Sequence, residues 1–208
     1  MKTVYSKYIK RVLDFIISLL ALTALSPLLL VLTLVGAVKM RGNPFFVQER
    51  PGRNGRVFRL IKFRSMTNKK KNGELLPDEE RLTGYGRFLR RTSLDELPEL
   101  LNILVGHMSI VGPRPLLVKY LPLYNEHQAR RHEVRPGLTG WAQVNGRNSI
   151  TWEQKFDYDV WYVDHVSFAL DVRIVMMTVR SVLKREGISG ENNATMAEFE
   201  GSREKTNV

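Results

Sequence analysis

Residues 12 to 38 form an apolar run interrupted by a single charge, Asp14, long enough to cross a bilayer as a helix. Lys2, Lys7, Lys10 and Arg11 precede it and Lys39, Arg41, Arg50 and Arg53 follow it, so the positive-inside bias draws both flanks to the cytoplasm. Ser26-Pro27 sits at its middle. Proline removes a backbone donor there and crowds the carbonyl four residues back. A break at that point leaves arms of residues 12 to 25 and 28 to 38, roughly 21 and 17 Å long and each short of a ~30 Å hydrocarbon core. A hairpin that enters and leaves one leaflet meets both conditions, provided Ser26 or a neighbour bonds the freed carbonyls. A straight helix kinked at Pro27 is the competing reading. The run is too long for the apolar core of a cleaved signal peptide.

After residue 40 the pattern becomes mixed α/β and mostly helical. FFVQ (45 to 48) and VFRLIKF (57 to 63) read as short strands joined through the turn-rich ERPGRNGR, which predicts a β-hairpin. Residues 67 to 80 are polar and predict an exposed loop. Helical periodicity follows at about 79 to 91, 94 to 105, 115 to 131, 151 to 165 and 168 to 186, the last closed by Gly187. The division expected is a membrane hairpin over 1–40, a cytosolic domain over 41–188 and a polar, loosely ordered tail over 189–208.

Charge narrows the partners. Lys and Arg number 32 against 21 Asp and Glu, a formal charge of +11, which favours an anionic partner: nucleic acid, acidic lipid or a phosphorylated substrate. The chain has no cysteine, which excludes disulfide scaffolds, cysteine-ligated metals and thiol nucleophiles. Its length fits one ordinary domain with an appendage.

RTSLDELPELLNIL carries the most chemistry. Ser93 and Glu96 have capping-box spacing, which would put Asp95 and Glu96 in a first helical turn where the dipole favours ionised carboxylates. Pro98 is awkward at a fifth helical position and can instead start a shifted helix. Simple capping is the alternative to a functional pair. Pro113-Arg114-Pro115 holds a guanidinium on stiff, extended backbone, and RPGLTGWAQVNGR adds Arg135 and Arg147, with glycines at 137, 140 and 146 that allow close backbone approach. Arginine's planar fork suits phosphate oxygens, although Pro-Arg-Pro can equally clamp a loop and NGR is a common turn. No Walker loop or GxGxxG is present. The four histidines lack metal-protease spacing, the three tryptophans suit a core or an interface, and Met176-Met177 suit a buried or membrane-facing helix.

Taken in order, KRVLDF, the Ser-Pro break, QERPG, KFRSM, RRTSLDELPELLN, MSIVGPRPLL, RPGLTGWAQVNGR and ATMAEFEG resemble the bacterial sugar transferase family, the monotopic polyprenyl-phosphate phosphoglycosyl transferases. The resemblance covers nearly the whole chain. It implies a re-entrant helix-break-helix hairpin at Ser26 and Pro27, both ends on the cytoplasmic face of a bacterial inner membrane, and a small catalytic domain with interfacial amphipathic helices. It also implies transfer of a sugar 1-phosphate from a UDP-sugar to undecaprenyl phosphate with release of UMP, and no nucleic-acid partner. By motif position, Asp95 is the expected nucleophile and Mg2+ ligand, forming an aspartyl-phosphosugar. Glu96 is its partner, adjusting the metal or assisting the lipid phosphate, and Arg114, Arg147, Arg90 and Lys62 would bind phosphates. The short chain with this tail suggests an N-acetylated amino sugar. One position departs from the pattern: the family usually reads GDMS where this chain has Gly106-His107-Met108-Ser109, and we expect that position to support loop structure. The alternative from another class is a membrane-tethered basic module for nucleic acid or acidic lipid, whose binding would weaken with salt.

Overall fold

The computed structural model describes residues 4–146, 150–184 and 198–201. The chain is mostly helical with small sheets. A π-turn at Tyr5–Ile9 leads into α1 (Lys10–Met40), followed by the antiparallel hairpin β1 (Phe45–Pro51) and β2 (Val57–Phe63), registered Phe45 to Phe63 and Pro51 to Val57. A second, two-residue pairing, β3 (Lys70–Lys71) with β4 (Glu74–Leu75), lies in the expected exposed loop. Next come α2 (Asp78–Arg81), α3 (Gly84–Thr92), α4 (Glu99–Leu104), β5 (Ser109–Val111), α5 (Glu126–Ala129), β6 (Gly137–Thr139), α6 (Trp141–Asn145), α7 (Trp152–His165) and α8 (Phe168–Lys184). The Gly187 cap expected for α8 lies outside the described residues.

The N-terminal helix departs from the two-arm reading. Ser26 and Pro27 lie inside one helix rather than at a gap between two. The reason is local: Pro27 cannot donate to the carbonyl of Thr23, and the Ser26 hydroxyl donates to that carbonyl instead, at 2.8 Å. One stripe of α1 is covered by the rest of the chain. Asp14, Ser18, Leu32, Gly36 and Met40 are buried, with Ala21, Leu22, Leu25 and Leu29 half-buried between them, a spacing close to the 3.6-residue helical period. The opposite face, including Ile16, Leu20, Leu30, Leu34 and Val38, is exposed and apolar.

Both ends of that stripe are pinned by polar contacts. Arg11 donates to the carbonyls of Ile103 and Leu104 at 2.7 and 2.8 Å, closing the C-terminal turn of α4. Asp14 accepts from the Ile110 amide at 3.0 Å, and Lys10 pairs with Asp171 of α8 at 2.5 Å. At the other end the Tyr85 hydroxyl donates to the Leu32 carbonyl at 2.8 Å.

Several helices are shorter than their periodicity predicts. The stretch expected to be helical from 115 to 131 is instead a 3-10 segment Val118–Leu123 containing Pro122, then α5, capped by Asn125 and Gln128, then a 3-10 turn Arg130–Glu133. The expected capping box at Ser93 is absent: Ser93 has φ 56° and makes no side-chain cap, and Leu94–Glu96 is a 3-10 turn before Pro98, which caps α4. Thr83 does the capping upstream, accepting from Gly86 at 2.9 Å. Near the C-terminus, Phe199 is buried with Tyr120 and Phe156, and Glu198 pairs with Lys119 at 2.6 Å. That part of the tail therefore docks rather than lying loose.

Candidate active site

Asn102 sets the distance between the hairpin and α4. Its buried side chain accepts from the Ile61 amide at 3.1 Å and donates to the Arg59 carbonyl at 2.8 Å, acting as a strand neighbour for β2. This fixes Lys62, on β2, against the start of α4. The Lys62 ammonium lies 2.8 Å from Glu96 and 2.9 Å from Glu99, so one cation bridges two carboxylates. Arg114 donates to the same Glu96 oxygen.

Pro113-Arg114-Pro115 leaves the end of β5, which pairs in parallel with β6. Here Gly137 and Gly140 allow the close backbone approach expected of them, with Gly112 as the partner backbone. A Cβ on Gly137 would lie 2.1 Å from the Gly112 nitrogen, and one on Gly140 would lie 2.2 Å from the Gly112 carbonyl oxygen. Gly112, Gly137 and Gly140 therefore permit backbone to approach backbone, which seats the Pro-Arg-Pro segment. From behind, Arg131 donates to the Arg114 carbonyl at 2.8 Å. Arg131 is itself held by Asp159, which accepts from Nε at 3.0 Å and Nη2 at 2.7 Å in a buried pair.

On the remaining side, Gly86 brings α3 against Ser65, where a Cβ would sit 1.8 Å from the Ser65 carbonyl oxygen. Arg90 of α3 then donates to Ser65 Oγ at 3.0 Å and to Met66 Sδ at 3.3 Å, and its exposed side chain lines the groove. Lys62, Arg90, Asp95, Glu96 and Arg114 all line this groove, of about 1450 Å³. Arg147 lies outside the described residues.

The two carboxylates differ in state. Burial works against ionising Glu96, but Arg114 and Lys62 outweigh it and hold the group at about 2. Burial and the adjacent Glu96 charge push Asp95 upward, opposed by Lys62, Arg114 and Arg90. Burial also raises Glu99, to about 6, with Lys62 opposing. Among the described residues no hydrogen bond or salt bridge engages Asp95, because the glutamates absorb the nearest cations. The site thus contains one carboxylate paired with two cations and one unengaged neighbour shifted the opposite way. Among the described residues no group of three or more His, Cys, Asp or Glu could hold a metal. Asp95 fits the alternative donor set for Mg2+, one or two carboxylates completed by substrate phosphates and water.

Arg131, Asp159, Glu99 and Asn102 escaped the sequence reading. The histidines take structural places: His107 packs on Phe58 outside the groove, His127 contacts Asp157 at 3.1 Å, and His165 stacks on Trp161. Buried His132 lies against the Gly52 carbonyl, lowered to about 4 by burial and Arg131.

Known proteins share this layout in sequence. A profile of the bacterial sugar transferases matches residues 5–185. The sugar transferase EpsL of Bacillus subtilis (strain 168) is 54% identical over 195 residues, covering 93% of this chain and 96% of that protein. The exopolysaccharide production protein ExoY of Sinorhizobium fredii is 39% identical, over 86% of this chain and 87% of its own. The UDP-glucose:undecaprenyl-phosphate glucose-1-phosphate transferase of Xanthomonas campestris is 41% identical over 84% of this chain, which spans 38% of that longer protein. The matched span runs from the π-turn before α1 to the end of α8 and so takes in every residue of the groove described above: the chain belongs to the bacterial sugar transferase family.

Proposed function

We propose that this chain transfers a sugar 1-phosphate from a UDP-sugar to undecaprenyl phosphate, in two displacements through Asp95. The observation that carries the reading is the unengaged Asp95 carboxylate beside a Glu96 tied by Lys62 and Arg114, all in one groove. In the first step Asp95 attacks the phosphorus bonded to the sugar, and the bond to the bridging oxygen breaks, releasing UMP. In the second, an oxygen of the lipid phosphate attacks the same phosphorus, and the bond to Asp95 breaks to give the lipid diphosphate sugar. Arg114, fixed at its backbone by Arg131 and at its side chain by Glu96, offers the donors not used by Glu96 to phosphate oxygens. Glu96, held ionised, keeps Lys62 and Arg114 beside the reacting phosphate. Mg2+, held by Asp95 and the diphosphate, would screen negative charge when bound.

The name of the Xanthomonas relative supports the general reaction, and the donor we propose is an N-acetylated amino sugar, as the motif resemblance implies. The test is UMP release by the purified chain with undecaprenyl phosphate and Mg2+, over UDP-glucose, UDP-galactose, UDP-N-acetylglucosamine and a UDP-linked di-N-acetylated diamino sugar. Turnover is expected with an N-acetylated donor. Use of the hexoses alone would overturn that choice of sugar, and no UMP from any donor would overturn the reaction.

For the membrane segment, the reading is monotopic, with both flanks of α1 on the cytoplasmic face. Its support is that Arg11 and Leu32, near opposite ends of α1, bond to the same globular part of the chain, while the uncovered face is apolar. A helix seated along its length in this way cannot put its ends in two aqueous compartments unless the globular part crosses too. Single cysteines at Val4→Cys and Asn43→Cys are expected to react with an impermeant thiol reagent in inverted vesicles and to be protected in spheroplasts. Labelling of one position only in each preparation would mean a spanning helix.

A further inference from the structure

The groove does not end at the carboxylates. It continues along α8, where Val175, Val179 and Val182 line it together with Leu138 and Ala142. The next stripe of the same helix, Phe168, Val172 and Met176, is exposed and apolar but lies outside the groove. Helical spacing makes the two stripes adjacent, so α8 forms an apolar threshold between the outer surface and the site. Arg81, Arg87 and Arg91, from α2 and α3, line the same groove. The α8 part of the lining thus differs in character from the α2–α3 part, and Arg114 belongs to the lining as well.

We propose that the α8 part, bounded by Val175, Val179, Val182, Leu138 and Ala142, binds the phosphate-proximal isoprene units of the lipid acceptor. The occupant follows from the match between lining and ligand. A polyprenyl phosphate is an anion joined directly to a hydrocarbon chain, and this groove combines an arginine with an apolar α8 wall that borders exposed apolar surface. A nucleotide gains nothing from such a wall and is matched by the arginines of α2 and α3. This assignment rests on the two-step reading above and adds to it the route by which the acceptor arrives.

The experiment separates the half-reactions in the full-length chain in mixed micelles. Val179→Asn is expected to raise the KM for undecaprenyl phosphate about tenfold, the effect of replacing by an amide an aliphatic contact that the bound acceptor would cover. UMP release from UDP-sugar without acceptor should be unchanged. The KM for a soluble short prenyl phosphate should rise as well, since the isoprene units it keeps are the phosphate-proximal ones, whereas a phosphate monoester without a prenyl chain should not sense the substitution. Met176→Asn, on the outer stripe, should leave the acceptor KM at the wild-type value. An unchanged acceptor KM in Val179→Asn would overturn the proposal, as would an equal loss of both half-reactions in Val179→Asn and the near-isosteric Val179→Thr. Failure of the wild-type chain to release UMP without acceptor would instead strike the two-step reading itself.

Discussion

Asp95→Asn is expected to reduce turnover by on the order of 10⁴-fold or more, the usual scale for loss of a covalent nucleophile, while the protein folds as before. Nothing in the fold depends on this carboxylate, since among the described residues no hydrogen bond or salt bridge engages it. Its amide would occupy the same volume on the same 3-10 turn. What disappears is the charge and the attacking oxygen. Glu96 cannot substitute, because Arg114 and Lys62 hold it and keep it at about 2. Steady-state UMP release together with a thermal unfolding curve checks this. Near-normal turnover with Asn at this position would remove Asp95 from the chemistry, and a large drop in thermal midpoint would mean that the carboxylate supports the fold.

The second large effect is expected far from the reacting atoms. Asp159→Asn should lower stability by about 3–5 kcal/mol, because it leaves the Arg131 guanidinium buried without its counter-charge. Lys155 adds a second positive charge nearby. Activity should fall as well, since Arg131 donates to the Arg114 carbonyl. The two consequences can be separated. A double variant, Arg131→Met with Asp159→Leu, replaces a buried ion pair by apolar groups of comparable size, a change that is often neutral or stabilising. It should recover much of the thermal midpoint but not the activity, because no donor then holds the Arg114 backbone. Recovery of both would show that Arg131 acts only through stability.

The same pair shows where sequence reading stopped. The motif Leu94-Asp95-Glu96-Leu97 and the Pro-Arg-Pro segment could be singled out because their residue types are chemically unusual in such a short span. Their convergence with Lys62 and Arg90 depends on the β1–β2 hairpin docking on α4 through Asn102, a long-range contact that no local pattern encodes. Yet three lone acids did leave a signal. Asp14, Asp159 and Asp171 each interrupt an apolar helical stripe, and each is buried against a partner: the Ile110 amide, Arg131, and Lys10 with Tyr162. A charge on a core-facing stripe requires such a partner, although position alone does not say which one. Helices were overextended for a similar reason. The periodicity at 94 to 105 runs across Pro98, where α4 starts afresh as that proline allows, and at 115 to 131 it runs across Pro122, which sits inside a 3-10 segment.

In the proposed reaction Asp95 carries the phosphosugar between two separate displacements, and the most direct measurement is the intact mass of the enzyme after incubation with UDP-sugar and Mg2+ in the absence of lipid. We expect about one UMP released per active site and a mass increase equal to the sugar phosphate, mapped to the peptide containing Asp95 and absent in Asp95→Asn. Undecaprenyl phosphate added afterwards should discharge it. A strict requirement for lipid before any UMP appears, with no adduct trapped at any time, would contradict the account and assign direct transfer between the two substrates.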